Sequence, residues 1–531
     1  MCKVYPPLRK KQINLHEKVE HKISAFHPIR PIIETYQRIG RSDMDVRTEQ
    51  AYQLRITALE VRVVDLETQL AQRDATIAAL HQQIAELSKQ VADLLAQVAR
   101  LSKNSSNSSK PPSSDIVKPP PPPLPPGEKR SIGGQKGHPH HQREPFTPAQ
   151  INRVVNYQMD CCPDCGGVVR PMDRPPRKLQ QVEIPEVPVE VMEHRSHGYF
   201  CPHCHKVHYA PLPPEIQNSG LVGPRLTAWI AYLKGACHCS FSTIRKFCRD
   251  VLHLPISRGQ LAKVIQRTSS AMAESYWALR KMLPSENVLN VDESGHKENG
   301  RRLWTWGFRA ASFTCFKIES SRGSQILLAT LGDDFAGILG CDYFSAYHKY
   351  KKDFDVLLQF CLAHLIRDVK FLATLPEAAT VAYGQRMLEA LRQLFHILHQ
   401  REIMEVPVFQ KALEKARDDL VATGLDAPEH KAAQNMAGRF RENRDSYFRF
   451  ITTPGLEPTN NLAERAIRFV VLDRHVTQGT RSERGRQWCE RIWSAIATCT
   501  QQQRSVFEFL YQTVNNHFAG RPTPSLLPSG P

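Results

Sequence analysis

Apolar residues recur every seven positions at Ile56, Val63, Leu70, Ile77, Ile84, Val91 and Val98. A second series runs three places behind, at Leu59, Leu66, Arg73, Leu80, Leu87, Leu94 and Leu101. This predicts a coiled coil (leucine zipper) over 44–102, because a seven-residue repeat keeps one apolar seam turned toward a partner helix. Mostly β-branched residues in the first series and Leu in the second favour two parallel strands. Arg73 breaks the seam at one layer, a device that fixes register. The alternative is an amphipathic helix packed on its own protein. The first reading makes the chain a homodimer or a higher homo-oligomer.

The heptads stop at KNSSNSSKPPSSD and PPPPPLPPGEK, which offer neither apolar surface nor helix-compatible backbone. Residues 103–150 read as a Pro/Ser-rich linker followed by a basic loop carrying Lys129, Arg130, Lys136 and Arg143. Residues 1–43, basic and proline-rich without periodicity, read as a disordered arm, with Met44 a second candidate start. Alternation in QQVEIPEVPVEVMEHRSHGYF predicts strands within a 151–215 module, and the pattern turns helical over 216–284. From 285 it becomes α/β: ENVLNVDESG closes an apolar run on Asp292, RRLWTWGFRAASFTCFKIES alternates like a hairpin, and GILGCDYFSAY closes on Asp342. A helical insertion follows at about 365–450 inside a 285–480 domain, then a C-terminal helical region and tail over 481–531.

Such a chain, 531 residues long, holds several modules, since domains run to about 150 residues. Its net charge of +17 favours a polyanionic partner, nucleic acid before an anionic membrane surface. No apolar run is long enough to span a membrane and the start does not resemble a secretory signal, so the expected location is cytoplasmic and nucleoid-associated, with no membrane partner. The 14 cysteines therefore do not read as a disulfide framework. CPDC at Cys162 and Cys165 and CPHC at Cys201 and Cys204 match a closed structural Zn2+ site, in which each knuckle aims two sulfurs at one ion. The 35 residues between the pairs make this an enlarged zinc ribbon; buried unpaired thiols are the alternative. Within FSTIRKFCRDVLHLPISRGQLAKVIQRT, two helices flank a short turn, with Ser257 placed to cap the second. This resembles a helix-turn-helix offering Arg258, Gln260 and Lys263 to DNA, or else an ordinary helical hairpin with a basic face.

Asp292 and Asp342 at strand ends, with Glu464 from the helix begun by PTNNLAERAIRFVV, form a trio 50 and 122 residues apart. Three carboxylates from separate elements can converge on Mg2+, or Mn2+, for in-line displacement at phosphorus. Each has a plainer reading. The aspartates suit turns, and Asn461 with Glu464 has the form of a helix-start capping pair.

Several segments in order carry a family resemblance: KNSSNSSKPPSSD, GGQKGH, CPDC and CPHC, VDES, CDYFSAY, CLAH and NNLAERAIR. Together they make the chain similar to transposases of the bacterial insertion-sequence family sixty-six, of the Asp-Asp-Glu type. The resemblance implies a multidomain protein: coiled coil, zinc ribbon, helical DNA-binding segment, and an α/β ribonuclease-H-like catalytic domain with a helical insertion. It implies catalytic metal-binding roles for Asp292, Asp342 and Glu464, and structural zinc at Cys162, Cys165, Cys201 and Cys204. The activity implied is metal-dependent phosphodiester cleavage and strand transfer at element ends. Element ends and target DNA would be the partners, with accessory transposition proteins besides. Arg465, Arg468 and Arg474 would contact DNA. His364 falls in a family motif, with a structural role equally open. The segment Leu472–Val476 departs from the usual basic continuation, and Tyr343 and Phe344 replace a turn glycine, which puts local DNA contacts in doubt. A non-catalytic DNA-binding regulator or an inactive relic is the other reading.

Overall fold

The computed structural model describes residues 46–101, 103, 144–170, 175–185 and 188–528. The basic arm at 1–43, nearly all of the linker and the basic loop with Lys129, Arg130, Lys136 and Arg143 lie outside them. The chain divides into two compact units at Leu95.

Helix α1, which holds all the described residues of the first unit, runs unbroken as Val46–Leu101, a stretch with no Gly or Pro between its ends. Its seam residues, including Leu59, Leu66, Ile77, Leu80, Leu87 and Leu94, stand exposed.

In the second unit, the described residues between 144 and 213 are mostly extended. Among these described residues only β1 (Gly198–Cys201) and β2 (Lys206–Tyr209) form a ladder, an antiparallel hairpin turning through Cys204 and His205. Of the strands expected in QQVEIPEVPVEVMEHRSHGYF, only its end forms one, as β1; the described residues of this segment before Gly198 run without ladder partners. Five helices follow: α2 (Pro214–Ser219), α3 (Pro224–Gly235), α4 (Phe241–Asp250), α5 (Arg258–Ala271) and α6 (Ala273–Met282). Ser240 and Ser257 cap α4 and α5, accepting from the Thr243 and Gln260 amides at 3.0 and 3.1 Å.

A mixed sheet forms the centre. Strands β3 (Val288–Glu298), β4 (Arg301–Arg309) and β5 (Thr314–Glu319) make an antiparallel meander. After α7 (Gln325–Leu331), β6 (Ile338–Cys341) adds parallel to β3. After α8 (Ser345–Phe354), β7 (Leu357–Phe360) adds parallel to β6, giving the order β5-β4-β3-β6-β7. Near-continuous apolar sequence in β6 and β7 fits strands covered on both faces.

The helical stretch comprises α9 (Leu362–Leu372), α10 (Ala378–His399), α11 (Val406–Leu425) and α12 (Lys431–Thr452). Then α13 (Asn461–Thr477) packs on β3 and β4, α14 (Glu483–Gln501) on β5, and α15 (Val506–Phe518) on α3. One hydrophobic core therefore joins the helical segment 216–284, the sheet and the C-terminal helices. Gly235 permits a close approach of α3 to α14, since a Cβ there would stand 2.4 Å from Ile492 Cγ1. Asp473, buried in α13, ties the pieces polarly: it accepts from Trp493 Nε1 at 3.2 Å and faces His238 Nδ1 at 3.1 Å.

Candidate active site

Strand register places the two aspartates. The parallel ladder pairs Asn290 with Gly340, so two residues further along Asp292 and Asp342 stand at the same level. Asp342 follows the end of β6 as expected, whereas Asp292 lies inside β3 rather than at a strand end, because β3 runs on to Glu298 in its ladder with β4. Gly340 must lack a side chain, because a Cβ would come within 2.4 Å of Asn290 Nδ2. That amide donates to Asn460 Oδ1 at 3.0 Å, while Asn460 Nδ2 donates to the Val291 carbonyl at 2.7 Å. Asn460 precedes α13, so these bonds pin the start of the Glu464 helix to the strand carrying Asp292.

The capping reading of this helix start does not hold in the structure. Asn461 is its first helical residue, Asn460 takes the cap position, and no side chain caps the helix amides. The Asn460 amide is spent on β3, and the Glu464 carboxylate turns instead toward α9, 3.5 Å from His364 Nδ1 and 3.4 Å from Arg367 Nη2.

Asp292 and Asp342 share a half-buried, acidic environment. Burial, then the charges of Glu293, Asp342 and Glu464, push the Asp292 carboxyl well above the usual carboxylate range. Burial, then Glu293, push Asp342 up to about 7, against the opposing pull of Arg322 and the Phe344 amide. Two hydrogen bonds orient the pair: Glu293 N–H donates to Asp292 Oδ1 at 2.9 Å and Phe344 N–H to Asp342 Oδ1 at 3.1 Å.

Glu293 was not singled out from the sequence, although it adjoins Asp292. Its buried carboxylate is compensated twice, by Arg322 Nη2 at 2.6 Å and by the Tyr347 hydroxyl donating at 2.7 Å. Arg322 in turn lies over the rings of Trp304 and Phe344, 4.9 and 3.8 Å from their centroids. Asn460 lay within the motif NNLAERAIR but without a role, and Arg322 and Arg367 were not singled out, because the carboxylates and amide they meet are distant in sequence.

Hard oxygen donors in an acidic, partly desolvated cluster suit a divalent cation, whose charge would relieve the repulsion that raises these carboxyls. Among the described residues, only Cys361, His364 and Glu464 form a group whose ligand atoms all lie within 4.8 Å; the carboxylate trio and the four cysteines are more widely spaced. Each cysteine knuckle is nevertheless locally formed. The Asp164 and Cys165 amides lower the Cys162 thiol, and those of Cys204 and His203 lower Cys201. This favours the thiolate that zinc requires. Cys204 Sγ also lies 3.7 Å from His208 Nε2.

The residues expected to meet DNA divide into two kinds. Arg465 and Arg468 are exposed on α13, and Arg258 and Lys263 on α5. Gln260 and Lys263 line a cleft with Arg267 and His517. Arg474 is instead half-buried, donating to Ser294 Oγ at 3.0 Å and to the Gly295 carbonyl, so one arm of its guanidinium is spent on β3. Nearby His296 is buried and held neutral, its pKa pushed down to about 4 by burial and by Arg474 and Arg486.

Among the described residues, no helix is long and apolar enough to cross a membrane. A family of unknown function, DUF6444, matches residues 37–144. The uncharacterized protein y4qI of Sinorhizobium fredii is 22% identical over 346 residues, covering 58% of this chain. The chain spans 62% of that relative's length. The model described as Transposase IS66 family matches residues 219–488, which include the sheet, the helical stretch, both aspartates and Glu464. With half its length so matched, the chain belongs to the IS66 transposase family.

Proposed function

We propose that the protein is a DNA transposase that cleaves a phosphodiester at element ends and joins the freed 3′-hydroxyl to target DNA. The observation that carries this is the in-register pair Asp292 and Asp342, with the helix of Glu464 pinned to the same strand through Asn460. The order β5-β4-β3-β6-β7, three antiparallel strands extended by two parallel ones, supports the ribonuclease-H-like assignment.

Asp292, Asp342 and Glu464 would hold Mg2+ or Mn2+. When bound, such ions activate the attacking oxygen and stabilise the leaving one. Glu293 remains neutralised by Arg322 and Tyr347, so it braces the Asp342 turn. Arg468, one helical turn beyond Glu464, and Arg465 would receive phosphates beside the acidic cluster. Cys162, Cys165, Cys201 and Cys204 would hold structural zinc, and the exposed seam of α1 would pair with a second copy, bringing two active sites to two DNA ends.

The test is strand cleavage and joining on duplex DNA carrying the sequences that flank the native gene, with Mg2+, comparing wild type with Asp292→Asn. The expected result is cleavage by wild type and a loss of at least about 100-fold in the variant. Equal cleavage by the two proteins would overturn the metal assignment, and absence of cleavage by either would favour a non-catalytic DNA-binding role.

A further inference from the structure

Cys361, His364 and Arg367 lie at three-residue intervals from the cap of α9 through its first turns, and all three reach toward the start of α13. Cys361 Sγ accepts from the Asn460 amide at 3.1 Å, holding the backbone from which α13 departs. His364 Nδ1 faces Glu464 Oε1 at 3.5 Å, and neither atom has a hydrogen-bond partner although both are buried. Arg367 Nη1 stands 3.2 Å from His364 Nε2, and Nη2 lies 3.4 Å from Glu464 Oε2.

The arginine decides how the histidine is used. A guanidinium only donates, so Nε2 must accept from it, and a neutral imidazole then carries its proton on Nδ1. That proton points at Glu464 Oε1. A metal ion on Nδ1 would need the opposite tautomer, with an N–H on Nε2 facing an arginine donor. The same geometry that makes the trio look like a metal site therefore argues that His364 is a donor to the carboxylate. The 3.5 Å separation is longer than a tight hydrogen bond, so the contact is a close facing of donor and acceptor rather than a formed bond.

We infer that His364, with its tautomer set by Arg367, is a positioning residue that orients the Glu464 carboxylate for metal, while Cys361 fixes the start of the helix that presents it. This rests on the metal-dependent reading above. Partners of this kind typically change metal affinity by about 10- to 100-fold when removed.

The test is Mn2+ binding to the full chain, followed by electron paramagnetic resonance, for wild type, His364→Ala, His364→Asn and Glu464→Gln. Asparagine returns a donor close to the position of Nδ1, so it separates orientation from bulk. The expected result is about 10-fold weaker binding in His364→Ala, with His364→Asn within about threefold of wild type. Adding His364→Ala to Glu464→Gln should weaken binding no further, because the histidine acts through that carboxylate. Unchanged affinity in His364→Ala, equal losses in both histidine variants, or loss of one whole bound ion in either of them would each overturn the inference. Absence of Mn2+ binding by wild type would instead bring down the metal-dependent reading itself, and this inference with it.

Discussion

The segment 144–213 and the body from 219 onward are both rich in apolar residues, yet only the second buries them. In the first, Val154, Tyr157, Val168, Leu179, Val191, Tyr199 and Phe200 are all exposed, and among the described residues the only ladder is the four-residue pairing of β1 with β2. In the second, Trp306, Phe308, Phe316, Phe360 and Trp493 are fully enclosed. The difference teaches that alternation alone does not make a core. A segment this short, interrupted by prolines, cannot stack a second layer on its strands, and needs a cross-link to offset its conformational entropy. The body has helices long enough to cover both faces of its sheet.

Metal removal should break the comparison most strongly. If zinc holds the two knuckles, a chelator or Cys162→Ser removes an apparent stabilisation of about 10 kcal/mol from the 144–213 segment alone. Limited proteolysis should then cut within that segment while the thermal transition of the body stays in place. A core truncation should do the reverse. Trp493→Ala removes a fully buried ring that packs edge-on against Phe316 and donates to Asp473, and should cost about 3–5 kcal/mol in urea unfolding without changing bound zinc.

Smaller effects sharpen the picture inside the body. Asn460→Ala leaves the Asn290 amide and the Val291 carbonyl without their partner, and should cost about 1–3 kcal/mol. Faster hydrogen exchange should be confined to the first turn of α13. The smallest effect concerns Asp342, whose carboxyl is raised to about 7. The folded state favours its protonated form, so that contribution is complete below about pH 4 and is lost as pH rises toward 7. In metal-free buffer at pH 8, Asp342→Asn should therefore melt roughly 2 °C above wild type. The gap should close at pH 4 and shrink when Mg2+ is added to wild type.

Legibility in the sequence followed the range of the interaction. The hairpin of β4 and β5 and the place of Asp342 just past a strand were readable, because alternation and turn placement are local. Asp292 was expected at a strand end but lies inside β3, which runs on to Glu298 because its second half pairs with β4. Capping at Ser257 was readable for the same reason. At Asn461 the same local logic misled, because the neighbouring Asn460 is committed to Asn290, 170 positions away. Glu293 looked like an ordinary neighbour of Asp292 until Arg322 and Tyr347 were seen to enclose it.

By itself the sequence determined the periodic elements: the unbroken heptads of α1, the hairpin of β4 and β5, the two cysteine pairs and the family motifs. These depend on residue spacing of seven, two or three, which the chain carries wherever it goes. Only the tertiary structure decided that the 216–284 helices and the C-terminal helices share one core with the sheet, that Asn460 binds strand to helix, and that Glu464 faces His364 and Arg367. Those outcomes depend on which distant surfaces meet, and chain topology rather than local pattern selects them.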